Sequence, residues 1–417
     1  MGQGPQAATL GRRDAVLYLV AAALGSFGLG VASFYLNFLY RALGFDEFAI
    51  GLLAGAQAIG VVAGAVPAAV FTRGRSRRAA ILLGGTITGV GIFGILVFNA
   101  LLPLLGSAML VGFGGIIASS SGAALLADAT VAARRATRFG QQIALGTTAA
   151  FLSSAIAGAL ATPVAALLGV RPDDALVLRA LVASGGIIAA ASIAPVLAIR
   201  AVPVGRHTLE APTRNDLVRR FLVIEMLFGF GAGSFLPFLN LFFADRYGVP
   251  FSALGLLLGV LAVAGSVGAL LHGRFVAARI GAIPSVVLVE TLSLPFALVA
   301  AFTGALPVAV GALAARHLLM FGASGTVNAF QLSSFTPAER AGANAVFALA
   351  WSAANAVGAI LSGAIRAQLG PGGFTANIVT LVVAYGLAAL LTWRLFARHE
   401  PSGDVGVPTL AVPDSGV

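Results

Sequence analysis

The chain has 417 residues, 59% hydrophobic and only 10% charged, with a net charge of +10 and a mean hydropathy of +0.99. Soluble domains carry roughly 45–50% apolar and about 25% charged residues, so a water-soluble globule is excluded and the solvent for most of the chain is lipid. No cysteine is present and no two of the four histidines stand at metal-ligand spacing, which excludes disulfides, thiol catalysis and cysteine or histidine metal sites.

A helix needs about 20 apolar residues to cross a hydrocarbon layer about 30 Å thick. On that measure the predicted spans run over 15–40, 47–71, 79–99, 101–127, 140–168 and 174–199. A second set follows over 217–244, 250–275, 282–304, 306–332, 342–366 and 372–396. Runs longer than about 25 residues are expected to tilt or project beyond the bilayer. The organisation is therefore a tail over 1–13, a six-helix bundle over 14–200, a linker over 201–216, a second six-helix bundle over 217–398 and a disordered tail over 399–417. No small-residue cleavage site follows the first apolar run, so a removable signal peptide is not expected.

The 25 basic residues are all arginine and stand mostly in the short stretches between spans. That arrangement fits membrane orientation and not nucleic-acid binding. Twelve spans place both termini on one face, which then holds 19 arginines, against five on the other (Arg41, Arg171, Arg179, Arg246 and Arg366) and Arg316 within a span. By the positive-inside rule the arginine-rich face and both termini are cytoplasmic, in a bacterial inner membrane. An eleven- or thirteen-helix count would scramble the alternation.

The sequence repeats itself. Gly44, Gly51, Gly55 and Gly64 recur 204 residues later as Gly248, Gly255, Gly259 and Gly268, and Gly28, Gly30 and Asn37 recur at an offset of 203 as Gly231, Gly233 and Asn240. Two six-helix halves related by a parallel repeat account for this order. The glycine pairs mark faces where helix backbones approach closely in lipid, either as static packing or as surfaces that slide.

Between spans two and three stands Thr72-Arg73-Gly74-Arg75-Ser76-Arg77-Arg78, and Arg279-Ile280-Gly281 stands at the matching place in the second half. These stretches, with the repeat, resemble the major facilitator superfamily over roughly residues 14–398. Thr72 and Ala278 replace the acid with which that loop motif usually begins. The resemblance implies an all-α fold of twelve transmembrane helices in two pseudo-symmetric six-helix bundles around a central cavity. It further implies alternating-access transport of a small solute, a monomer among membrane lipids, no cofactor and no enzymatic activity. Loop arginines of this family pair with an acid at the cytoplasmic end of span four, here Asp128. A contact of Asp128 with Arg73 or Arg77 would latch the outward-facing state, with Arg279 the matching gating residue. The same arginines can equally serve only as orientation signals.

Arg316 and His317 lie about ten residues into span ten, near the bilayer centre, where a charge costs at least about 2.5–3.5 kcal/mol. Arg316 is therefore expected to meet a solute in the cavity or to pair with Glu290 of span nine. Glu225 and Glu290 are buried carboxylates suited to proton coupling, or else partners of Arg219, Arg220 or Arg274. Asn37 and Asn240 hold equivalent positions in spans one and seven, flanked by Phe34, Tyr35, Phe235 and Phe238. Their amides could orient a polar solute, or cap and gate the helices. Asn328 and Trp351 are further candidates for solute contact, and Gln57, Gln141, Asn344 and Asn355 are weaker polar positions. A Gly-Pro antiporter motif is not recognisable between Gly146 and Pro163, and no phosphate-binding loop or catalytic constellation occurs. The alternatives are proton-coupled efflux of hydrophobic drugs and, in another class, a membrane sensor or membrane-embedded enzyme.

Overall fold

The computed structural model describes residues 10–71, 76–130, 135–201, 213–336 and 339–397. Among them are twelve long helices and no strand. The first six are α1 (Arg12–Ala42), α2 (Glu47–Phe71), α3 (Arg77–Val97), α4 (Leu101–Asp128), α5 (Arg135–Leu168) and α6 (Ala175–Leu197). The second six are α7 (Asn215–Tyr247), α8 (Phe251–Ile280), α9 (Ala282–Phe302), α10 (Leu306–Ser333), α11 (Arg340–Leu369) and α12 (Gly373–Phe396). Each carries a window apolar enough to cross a membrane, α11 and α12 as one stretch through the tight turn at Gly370–Gly372. In lipid, helices satisfy their own backbone polar groups, which is why an apolar chain of this kind resolves into helices joined by short turns.

The repeat is visible in the backbone and in the packing. Gly44 ends α1 and Gly248 ends α7, both with positive φ (+87° and +63°), a conformation that a side chain would strain. Gly28 meets Gly185 and Ala189 of α6, while its counterpart Gly231 meets Ala384 and Tyr385 of α12. Each group of six helices thus packs in the same order.

The halves touch along two matched seams, and both lie toward the face opposite the termini, here the distal face. In one, Gly51 of α2 lies against Gly363 of α11, and a Cβ on Gly51 would fall 2.8 Å from the Gly363 Cα. In the other, Gly255 of α8 lies against Gly158 of α5, and a Cβ on Gly255 would fall 2.2 Å from the Ser154 carbonyl oxygen. Removing side chains lets backbones reach the separation at which dispersion holds helices together in lipid. Gly60, Gly64 and Gly268, further along the same helices, pack instead within their own halves, against Met109, Phe113 and Leu318. The molecule is thus closed at the distal face, while Ser324, Asn328 and Trp351, which line a cavity on the side of the termini, are exposed.

Candidate functional site

The distal closure is polar as well as apolar. Pro237 interrupts α7, where residues Leu236–Phe238 form a tighter turn. The Leu241 N–H, which in a continuous helix would bond the Pro237 carbonyl four residues back, donates instead to Asn240 Oδ1 at 2.9 Å and leaves that carbonyl open. Asn37 Nδ2 of α1 donates to the Pro237 carbonyl at 2.8 Å and to Asn240 Oδ1 at 2.9 Å. Asn240 Nδ2 in turn donates to the Phe34 carbonyl at 3.1 Å. Phe34 and Pro237 are themselves 203 positions apart, so the two halves clasp each other reciprocally. Around this clasp Phe251 of α8 packs edge-on against Phe34, Tyr35 and Phe38 of α1, and the Tyr35 hydroxyl donates to the Ala157 carbonyl of α5.

Above the clasp a charged chain crosses the seam twice. Arg41 of α1 donates through both terminal nitrogens to Asp245 of α7, at 2.7 and 2.9 Å, and also reaches Glu47 of α2 at 2.5 Å. Glu47 pairs in turn with Arg366 of α11, whose guanidinium is buried 4.1 Å from the Phe238 ring centroid. Sequence reasoning counted Arg41 and Arg366 only as loop charges. Their burial against aromatic rings depends on how the halves meet.

Toward the other face, the second half encloses a cavity of about 420 Å³. Its walls bring together five of the residues singled out from the sequence: Glu225, Glu290, Arg316, Asn328 and Trp351. On α10 the lining positions Arg316, Met320, Ala323 and Val327 recur at helical spacing, so one stripe of the helix faces the cavity. The adjoining row Phe321, Ser324 and Asn328 lines it as well, but His317, one turn before Phe321, does not. Its ring stacks on Phe321 and its Nδ1 is hydrogen-bonded to the Leu313 carbonyl at 2.7 Å, so it is a packed residue and not a cavity residue.

Arg316 and Glu290 are each only 2% exposed. They do not form the ion pair that their depths suggested: no carboxylate lies within the 4.0 Å limit of the Arg316 guanidinium among the described residues. Arg316 Nε and Nη2 and Glu290 Oε2 are buried without hydrogen-bond partners. The guanidinium lies 5.3 Å from the centroid of the Tyr385 ring of α12. Glu225 does not pair with Arg219, Arg220 or Arg274 but accepts a 2.5 Å hydrogen bond from Gln331 Nε2. Gln331 and Tyr385 were missed from the sequence. Helix period could have flagged Gln331, which lies four turns beyond Arg316 on the same helix.

A second cavity of about 400 Å³ lies between the halves beneath the Asn37–Asn240 clasp, lined by Ser26, Ser33, Ser153, Ser154, Pro237 and Asn240. Leu236 lines both cavities. Within the first half, the cavity around Gln57, Thr88 and Ser119 contains no charged side chain. Of these three cavities only the one in the second half is lined by charged side chains, and Asn37 and Asn240 take part in the distal closure.

Of the loop residues, Arg77 Nε donates to Asp128 Oδ2 at 3.1 Å, joining the start of α3 to the end of α4 inside the first half. The pair does not bridge the halves, so by itself it braces one bundle. Arg73 lies outside the described residues. Arg279 is exposed at the end of α8, with no ion pair among the described residues.

The family profile described as Major Facilitator Superfamily matches residues 18–333. No curated protein matches the sequence. Among solved structures, a bacterial homologue of the human lysosomal transporter Spinster, in an inward-facing, unoccupied conformation, superposes with a TM-score of 0.75 at 16% identity, covering 97% of this chain and 100% of that one. The nucleoside transporter NupG (D323A mutant) superposes with a TM-score of 0.72 at 15% identity over 93% of this chain and 100% of its own. An inward-facing bacterial homologue of the iron transporter ferroportin gives 0.65 at 16% identity, covering 92% and 98%.

Proposed function

Because the chain belongs to the Major Facilitator Superfamily, whose members are transporters and not enzymes, we propose that it carries a small amphipathic solute across the membrane by alternating access, bound at the Arg316 cavity. One observation carries this reading. Buried, unpartnered charges line a cavity in a molecule sealed at the distal face, with Ser324, Asn328 and Trp351 of that cavity exposed. A buried charge is retained only where something compensates it, and a solute arriving from the exposed side is such a compensation. Arg316 supplies a planar fork for an acidic group, Trp351 and Asn328 stand elsewhere on the same cavity wall, and the aromatic residues take the apolar part. Two carboxylates, Glu225 and Glu290, stand against that one guanidinium, so the cavity is left negative, and protons or a cationic group neutralise it.

Asn37, Asn240, Arg41 and Glu47, with their partners Asp245 and Arg366, form the distal gate. Arg77, Asp128 and Arg279 belong to the opposite face, where they govern its closure. With the arginine-rich face cytoplasmic, this conformation is the inward-facing one, of a monomer in a bacterial inner membrane. Efflux of uncharged hydrophobic compounds is the weaker reading, since such a solute leaves Arg316 and Glu290 without partners.

The absence of native cysteine makes the test direct. A single Ser324→Cys, on the cavity wall, should react with a membrane-impermeant thiol reagent from the terminal face. Adding Asn37→Ala and Asn240→Ala should render it reactive from the distal face. Reactivity from one face alone in both proteins would refute alternating access.

A further inference from the structure

We infer that the solute is a small zwitterion with an apolar body, of which α-amino acids with apolar side chains are the simplest class; this rests on the reading of the Arg316 cavity as the solute site. The argument starts from what the empty cavity leaves unsatisfied. Arg316 offers two buried donors, Nε and Nη2, with nothing to receive them, and Glu290 offers one buried acceptor, Oε2, with nothing to donate to it. The two side chains come from adjacent helices, line one cavity and stand too far apart to satisfy each other.

Opposite charges held apart and unpaired in a low-dielectric interior are each expensive. A molecule that carries an acidic group for the fork and an ammonium for the carboxylate cancels both costs at once. A simple anion would occupy Arg316 but leave Glu290 unpartnered and put a negative group beside two carboxylates. A simple cation would do the reverse. The second carboxylate, Glu225, already accepts from Gln331, which leaves Glu290 as the one open to the ammonium. Phe228, Met320, Phe321, Trp351 and Tyr385 form the rest of the wall and suit an aliphatic or aromatic body.

The probes are leucine, isoleucine, valine, methionine, phenylalanine and tryptophan, each with its N-acetyl acid, which lacks the ammonium, and its amide, which lacks the carboxylate. Binding is read by thermal shift on the full chain in lipid nanodiscs. At least one parent amino acid should bind ten or more times tighter than either of its derivatives. Glu290→Gln should remove the preference over the N-acetyl acid, and Arg316→Gln the preference over the amide. An N-acetyl acid that binds as tightly as its parent overturns the zwitterion in favour of a plain anion. Failure of all six parents overturns it altogether. Neither result bears on alternating access, which the Ser324→Cys labelling decides separately.

Discussion

The distal seam and the second-half cavity are both polar regions inside a lipid-solvated protein, yet they are finished differently. At the seam each asparagine amide is hydrogen-bonded across the halves, and Arg41, Asp245, Glu47 and Arg366 are all ion-paired, though Arg366 Nε and Nη2 find no hydrogen-bond acceptor. In the cavity Arg316 and Glu290 share a wall and form no ion pair among the described residues. A region whose charges are paired holds a conformation. A region left incomplete is stabilised by what enters it, by an amount that follows the solute's concentration.

Breaking the contrast at the cavity should have the largest effect. Arg316→Met removes an uncompensated charge and should make the empty protein more stable by on the order of 1–4 kcal/mol, while abolishing solute-dependent stabilisation. Melting curves with and without solute check both. A loss of stability, recovered in Arg316→Ala/Glu290→Ala, would instead mean that the two residues pair.

At the seam, Gly255→Val forces a side chain into the Ser154 carbonyl and should cost about 1–3 kcal/mol in the distally closed state. That is about a 5- to 150-fold shift toward distal opening, readable as a longer spin-label distance between the outer ends of α5 and α8. An unchanged distance would mean that the seam does not hold the state. Asn37→Ala removes two hydrogen bonds worth about 1 kcal/mol each. Because Asn240 depends on the same clasp, the Asn37→Ala/Asn240→Ala double variant should lose less than the sum of the singles. Additive losses would mean that the clasp is two independent contacts.

Two smaller effects concern the terminal face. Asp128→Asn should change the labelling of a cysteine at Ala345 only slightly, since a partly exposed ion pair is worth about 0–1 kcal/mol. Glu339 accepts from the Thr213 hydroxyl and amide at 2.6 and 2.7 Å and from the Thr336 hydroxyl at 2.8 Å, which holds its carboxyl down at about 2. A depressed carboxyl stabilises above its unfolded value and loses that contribution as pH falls through about 2. Protection of the Thr213 amide against hydrogen exchange should therefore persist at pH 4, once intrinsic rates are corrected, and should drop in Glu339→Gln at pH 7.

The number, order and pairing of the helices were legible because lipid leaves a chain few alternatives and because the repeat prints each contact twice. Which side of each helix faces inward was less legible. Arg316 and His317 are neighbours in sequence, yet one lines the cavity while the other stacks on Phe321 and bonds the Leu313 carbonyl, a difference of side-chain contact that the sequence does not display. Glu290 lies at a depth that suggests a partner for Arg316, but depth says nothing of rotation about the helix axis, and rotation keeps them apart. For Asn37 and Asn240 the sequence leaves solute contact and gating both open, since each stands among its own aromatic neighbours. Equivalent positions near the axis relating two halves meet each other, and that inference was available from the offset of 203 alone.

The reciprocity of the clasp has a mechanical consequence. Asn37 reaches the carbonyl of Pro237 as Asn240 reaches that of Phe34, the relation that two-fold dimers call isologous: each surface is the other's complement. Prying the distal ends apart therefore loads both bonds together, and strain placed on one half of the clasp is carried by the other.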